Sequence, residues 1–151
     1  MTIELSTVSR NDIDNIVSLV KNVAECDVLP LLSDQGKSEF ITRVLDDLEL
    51  TLDGSTFLAV KAVTDGELIG FGALRNGNYL THLFVSKQHQ GMGIGKLLLD
   101  HLIASTNQPD ISLRSSVNAA SFYEQLGFVA TGGESEYNGI RFVPMQLNLV
   151  S

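Results

Sequence analysis

The sequence predicts a mixed α/β fold: a mainly antiparallel sheet with one parallel strand-helix-strand unit and helices on both faces. Three observations lead there. Two amphipathic helical patterns occupy the first third of the chain. The dipeptides Asp65-Gly66, Asn76-Gly77 and Asn138-Gly139 stand between apolar runs, and such pairs favour the left-handed backbone of hairpin turns. Between the last two of them come a strand, a glycine-rich loop, a helix and a second strand, the pattern of a right-handed parallel crossover. With 151 residues, 44% hydrophobic and 19% charged, the chain reads as one domain over 1–151, able to bury about two thirds of its unfolded surface without a disulfide or metal.

In chain order, Ile3, Leu5 and Val8 alternate with polar residues as a half-buried strand does, and Asn11 or Asp12 offers a cap to the first helix. In that helix Ile13, Ile16, Val17 and Val20 keep helical spacing. The next helix is expected over 38–50, with Phe40, Ile41, Val44, Leu45 and Leu48 on one face and Glu39, Arg43, Asp46, Asp47 and Glu49 off it. Strands are expected over 56–63, 67–75 and 79–85, then a helix over 93–105 and a strand over 111–115. A helix over 118–126 stops at Gly127 and leads into 128–131. The final strand, 140–149, contains Pro144, which lacks a backbone donor and so predicts an edge or a bulge. No repeat, low-complexity segment or linker divides the chain.

Composition narrows the function. Cys26 is the only cysteine, which excludes an internal disulfide and a cysteine-based zinc site. No apolar run approaches the roughly 18 residues that cross a bilayer, and the first ten residues, Glu4 among them, lack a signal-peptide pattern. The expected location is the cytoplasm, by default. A formal net charge of −8 argues against nucleic acid and anionic membrane as partners, since both demand clustered Lys and Arg. The charge is uneven: residues 1–67 hold 13 acidic and 5 basic side chains, whereas residues 68–151 hold 5 of each. Residues 68–99 contain no Asp or Glu but carry Arg75, Lys87, Lys96, His82 and His89. Such a window suits an anionic ligand, although buried strand and helix also lack acids by chance.

Inside that window, Gln90-Gly91-Met92-Gly93-Ile94-Gly95-Lys96 comes after a strand and opens a helix, where free N–H groups and the helix dipole bind phosphate. Alternating glycines let the backbone approach an anion, and they cost conformational entropy if nothing is bound. The dinucleotide fingerprint fails because its third glycine comes one residue early. A Walker A loop fails because Gln90 and Leu97 stand where a Gly and a Ser or Thr are needed.

Leu83-Phe84-Val85, then this loop with Leu97 and Leu98, resembles the acyl-CoA signature of the GNAT superfamily of N-acetyltransferases. Ser115-Ser116-Val117-Asn118-Ala119-Ala120-Ser121-Phe122-Tyr123-Glu124-Gln125-Leu126-Gly127-Phe128 resembles that family's next motif, correctly ordered and one strand later. The resemblance is clear from about Thr56 onward. It implies that the amides of Gly91, Gly93 and Gly95, with Gln90, Met92, Ile94 and Lys96 in the same stretch, hold the pyrophosphate of acetyl-CoA. It also implies that the backbone of Leu83, Phe84 and Val85 pairs with the pantetheine arm like an added strand. Asn118 and Tyr123 complete the implied cofactor site, the two parallel strands splay around the thioester, and no metal takes part.

Acetyl transfer to an amine needs a neutral amine, donors for the developing oxyanion and a proton for the departing thiolate. The resemblance assigns that proton to Tyr123; packing at helical spacing with Ala119 and Leu126 is its alternative role. Phe122 reads as a core or cofactor contact. Many family members have an Asn seven residues before the Tyr, where this chain has Ser116. Asn118 either replaces it or caps the helix beside it. Strand alternation puts Tyr79, Thr81, Leu83 and Val85 on one face and Leu80, His82 and Phe84 on the other. Relatives often carry a base where Tyr79 or Thr81 stands, and neither is a good one. His82 titrates in the right range and is the candidate base. A water relay to a carboxylate such as Glu67, or no dedicated base, are the alternatives, while His89 and His101 read as structural or exposed.

The expected function is transfer of acetyl from acetyl-CoA to a primary amine of a small molecule or peptide. An idle acyl-CoA-binding regulator and a same-fold transferase of another acyl group are the alternatives. A homodimer is compatible with all three. Between Glu25 and Asp53 stand eight acidic residues against two basic ones, Lys37 and Arg43. Because this segment shapes the acceptor entrance in the family, the excess predicts a small cationic amine. The alternative is a solvated helix face.

Overall fold

The computed structural model describes residues 2–27, 29–137 and 140–149. Its strands are β1 (Glu4–Thr7), β2 (Phe57–Thr64), β3 (Glu67–Arg75), β4 (Tyr79–Val85), β5 (Asp110–Ser116), β6 (Val129–Ala130), β7 (Ser135–Tyr137) and β8 (Ile140–Asn148). They form one sheet in the order β1-β2-β3-β4-β5-β8-β6, with β7 also pairing β8. Among the described residues only β4 and β5 run parallel. Helices α1 (Ile13–Asp27) and α2 (Asp34–Leu50) cover one face; α3 (Ile94–Ala104) and α4 (Ala120–Gln125) cover the other. No helix among the described residues is long and apolar enough to cross a membrane.

Local chemistry explains most of these elements. Asp65 and Gly66 have φ of 50° and 76°, Asn76 and Gly77 have 54° and 74°, and both turns close the expected antiparallel hairpins. Asn138-Gly139 lies outside the described residues, although the strands beside it pair at Tyr137 and Ile140. Helix α2 starts four residues earlier than its periodicity suggests, because the Ser33 hydroxyl accepts a hydrogen bond from the Gly36 N–H at 3.1 Å and caps it.

Each face of the sheet has its own core. Ile16, Val20 and Leu48 pack on Phe71 and Ala73, while Leu98, Leu99 and Leu102 pack on Val60, Ala62 and Ile69. Helix α3 approaches β3 so closely that a Cβ on Gly70 would lie 2.9 Å from Leu98 Cδ1 and 3.3 Å from Ala62 Cβ. Gly70→Val is therefore expected to destabilise the fold by about 2 kcal/mol through overpacking. A urea melt with an unchanged midpoint would contradict this contact.

Two expectations need correction. Pro144 is neither at a sheet edge nor at a bulge: β8 lies between β5 and the β6/β7 pair, and Pro144 stands opposite Arg114 with no shift of register. It falls at the break between β6 and β7: Thr131 N–H donates to its carbonyl at 2.9 Å, and the ladder with β6 stops there, at the residue that has no N–H to return the bond. Alternation along β4 also fails at one residue. Its pairing with β3 steps from Ala73↔His82 to Leu74↔Leu80, making Thr81 a bulge. Leu80 thereby joins Leu83 and Val85 on the α3 side, leaving His82 and Phe84 on the α1 side.

Candidate active site

Past the bulge, β4 and β5 part. They are in register only at Tyr79↔Ser112 and Leu80↔Leu113, so residues 82–85 have no partner on β5. Two cavities open into the gap. The first, about 340 Å³, lies under α2 and is lined by Phe40, Arg43, Val44 and Asp47, by residues 80–84 and 113–119, and by Arg141 and Phe142. The second, about 520 Å³, lies between residues 83–85 of β4, the loop at 89–91 and 93–96, and Phe122. Leu83, Phe84, Ser116, Asn118, Ala119 and Tyr123 line both. The cavities therefore meet at Tyr123 and Asn118.

The glycine loop has the geometry of an anion cradle. Gly91 and Gly93 have φ of 81° and 82°, and a Cβ on either would meet nothing within 4 Å, so glycine is demanded by the backbone and the space above it is open. Gly93 occupies the N-cap position of α3 and offers no side chain to its first amides. Gly95 serves packing, since a Cβ there would come 3.2 Å from Phe122 Cζ. The Gln90 amide donates to the Val85 carbonyl at 3.0 Å and accepts from Lys87 at 3.2 Å, tying loop to strand. Lys96 lines the cavity while paired with Asp100 at 2.7 Å. Ile94 is buried, and the exposed Met92 lines neither cavity. His89 lines the loop side, and His101 is exposed on α3.

Tyr123 is buried, its ring edge-on to Phe122 at 5.1 Å and to Phe128 at 5.5 Å. Burial pushes its phenol well above the ordinary tyrosine range, so it stays protonated. Asn118 lies within a 3-10 turn, Val117–Ala119, rather than at a cap: Ser116 and Ala119 hold the cap positions of this turn and of α4.

His82 is packed between Phe71 and Phe84, with ring centroids 5.6 and 6.4 Å away. Its Nδ1 lies 2.7 Å from the Thr81 hydroxyl, which donates to the Ala73 carbonyl at 3.3 Å. Nδ1 is thus the donor, and Nε2 keeps the lone pair. Burial pushes the imidazole pKa down to about 4, against 6.5 when exposed. Between those values the unfolded chain binds the extra proton, so this stabilisation is full above pH 6.5 and lost as pH falls toward 4, roughly 3 kcal/mol in all. Shifting from pH 7 to pH 5 should cost the native protein about 2 kcal/mol more than a His82→Gln variant. Equal acid dependence of the two urea midpoints would contradict a buried neutral His82.

Of the acidic residues between Glu25 and Asp53, Asp47 alone among the described side chains lines the α2-side cavity. Burial raises its carboxyl pKa, opposed by Arg43, reinforced by Asp46 and opposed again by Arg75. The rest of that excess lies away from this cavity, and its lining holds three arginines instead: Arg43, Arg114 and Arg141. Glu67, at the start of β3, lines neither cavity. Sequence reasoning missed Asp47 as distinct from its neighbours, though its spacing from Phe40, Arg43 and Val44 carried the signal. It also missed Arg114, whose place is set by alternation with the buried Leu113 and Ser115.

The sequence model of a family described as an acetyltransferase (GNAT) domain matches residues 28–149. The peptidyl-lysine N-acetyltransferase YjaB of Salmonella typhimurium is 36% identical over 93 residues, 59% of this chain and 61% of that protein. The 5-NmdU N-acetyltransferase of Pseudomonas phage PaMx11 is 30% identical over 76 residues, 45% of this chain and 54% of that protein. The matches thus span little more than half the length of these two relatives. The PaiA N-acetyltransferase from Thermoplasma acidophilum, solved in complex with coenzyme A, superposes with a TM-score of 0.78 at 18% identity, covering 98% of this chain and 99% of that one. With its glycine loop, its parted parallel strands and a family match over most of its length, the chain belongs to the GNAT family of acetyltransferases.

Proposed function

We propose that the chain transfers the acetyl group of acetyl-CoA to a primary amine of a small molecule or peptide, in the gap between β4 and β5. One observation carries this reading: a cavity bordered by a glycine loop with open space above its backbone and a cavity bordered by polar side chains meet at a buried, protonated tyrosine. The amides of Gly91, Gly93 and the start of α3 bind the pyrophosphate, and Gln90 holds the loop in place. On the side away from β3, residues 83–85 meet no strand and offer backbone to the pantetheine amides as a sheet edge does to an added strand, with the Val85 carbonyl already accepting from the Gln90 amide. When bound, acetyl-CoA supplies an activated acyl carbon.

As the amine nitrogen bonds to that carbon and the C–S bond breaks, Tyr123 gives its hydroxyl proton to the sulfur. The neutral His82 accepts the proton released by nitrogen. Its low proton affinity suits a transfer made only after the N–C bond has formed and rendered the nitrogen acidic. Mass spectrometry of products from a panel of primary amines and lysine peptides tests this. Acetylated product with release of CoA is expected. Acetyl-CoA binding with no transfer to any amine would favour the regulatory module instead.

A further inference from the structure

We propose that the acceptor carries an oxyanion, a carboxylate or phosphate, beside its reactive amine, and that Arg114 binds it. This names the acceptor class of the transfer described above and rests on that reading. Although the whole chain has a net charge of −8, the α2-side cavity sets Arg43, Arg114 and Arg141 against one carboxylate among the described residues, Asp47. A purely cationic acceptor would meet guanidinium groups there, one of them without an ion-pair partner among the described residues. The three arginines are not equivalent. Arg43 faces Glu39 on its own helix at 3.6 Å, and Arg141 pairs with Glu134.

Arg114 forms no ion pair among the described residues. Its guanidinium lies over the ring of Phe142, 4.7 Å from the centroid, and it comes directly after Leu113, the last β5 residue in register with β4. A ring beneath the guanidinium holds it while leaving N–H groups at its edge to meet two oxygens. Bidentate recognition of that kind fits carboxylate and phosphate alike. Asp47 lines the same cavity from α2, where a carboxylate suits the ammonium of the same molecule. Anion at Arg114 and amine directed toward Tyr123 is the arrangement these side chains favour.

The test compares CoA release for two matched pairs, β-alanine against β-alaninamide and O-phosphoethanolamine against ethanolamine, with putrescine as the cationic control. The native protein should prefer the member that bears the carboxylate or phosphate in at least one pair by about tenfold or more in kcat/KM. The pair that responds tells carboxylate from phosphate. Arg114→Gln should erase the preference by raising the acceptor KM with little change in kcat, and Arg114→Lys should restore part of it. The KM for acetyl-CoA should stay the same, because Arg114 does not line the loop-side cavity. Best use of β-alaninamide, ethanolamine or putrescine, or a preference that survives Arg114→Gln, would overturn the proposal. Acetyl-CoA binding with no turnover of any amine would overturn the transfer reading itself, a result distinct from the other two.

Discussion

Gly93→Asp is expected to weaken acetyl-CoA binding in calorimetry by about a hundredfold or more, close to abolition. Two effects combine. The position has φ of 82°, where an L side chain costs about 1–2 kcal/mol, and the new carboxylate puts negative charge into the open space above the loop amides. Because a Cβ there meets nothing within 4 Å, no clash with the protein adds to the damage. The variant should therefore remain folded, with a modestly lowered melting temperature. Unchanged affinity would remove the loop from the binding site.

Tyr123→Phe should lower kcat by about a hundredfold or more while leaving acetyl-CoA affinity within a few fold, since general acid catalysis contributes on that scale. The substitution keeps the ring, and with it the edge-on contacts to Phe122 and Phe128, so the hydroxyl alone is tested. Single-turnover rates at saturating acceptor read this directly. Native turnover in the variant would reduce Tyr123 to a packing residue.

The features legible in the sequence are those decided locally. Two of the turns are set by their own residues, because Asp-Gly and Asn-Gly pairs pay little for positive φ. The glycine loop is set by alternating glycines at a helix start. The Thr81 bulge is not local, since it depends on how β4 pairs with β3, and an alternation rule applied to β4 alone puts Leu80 on the wrong face. The parting of β4 from β5 is implied only by family resemblance.

The charge count does not locate the carboxylates, for a related reason. Counting acids along residues 25–53 treats a helix as a line, whereas one turn of α2 decides which carboxylate faces the sheet, and the arginines opposite come from β5 and β8, far along the chain. The early start of α2 is written in Ser33, a good capping residue. Apolar spacing hides it, because the periodic residues begin only a turn later.

A crystal structure with coenzyme A bound is the most direct measurement. Pyrophosphate oxygens should lie within hydrogen-bonding distance of the Gly91 and Gly93 amides, the pantetheine arm should run beside residues 83–85, and the sulfur should sit between β4 and β5 next to the Tyr123 hydroxyl. Coenzyme A seated outside that gap, or bound with its sulfur remote from Tyr123, would contradict the assignment of this site.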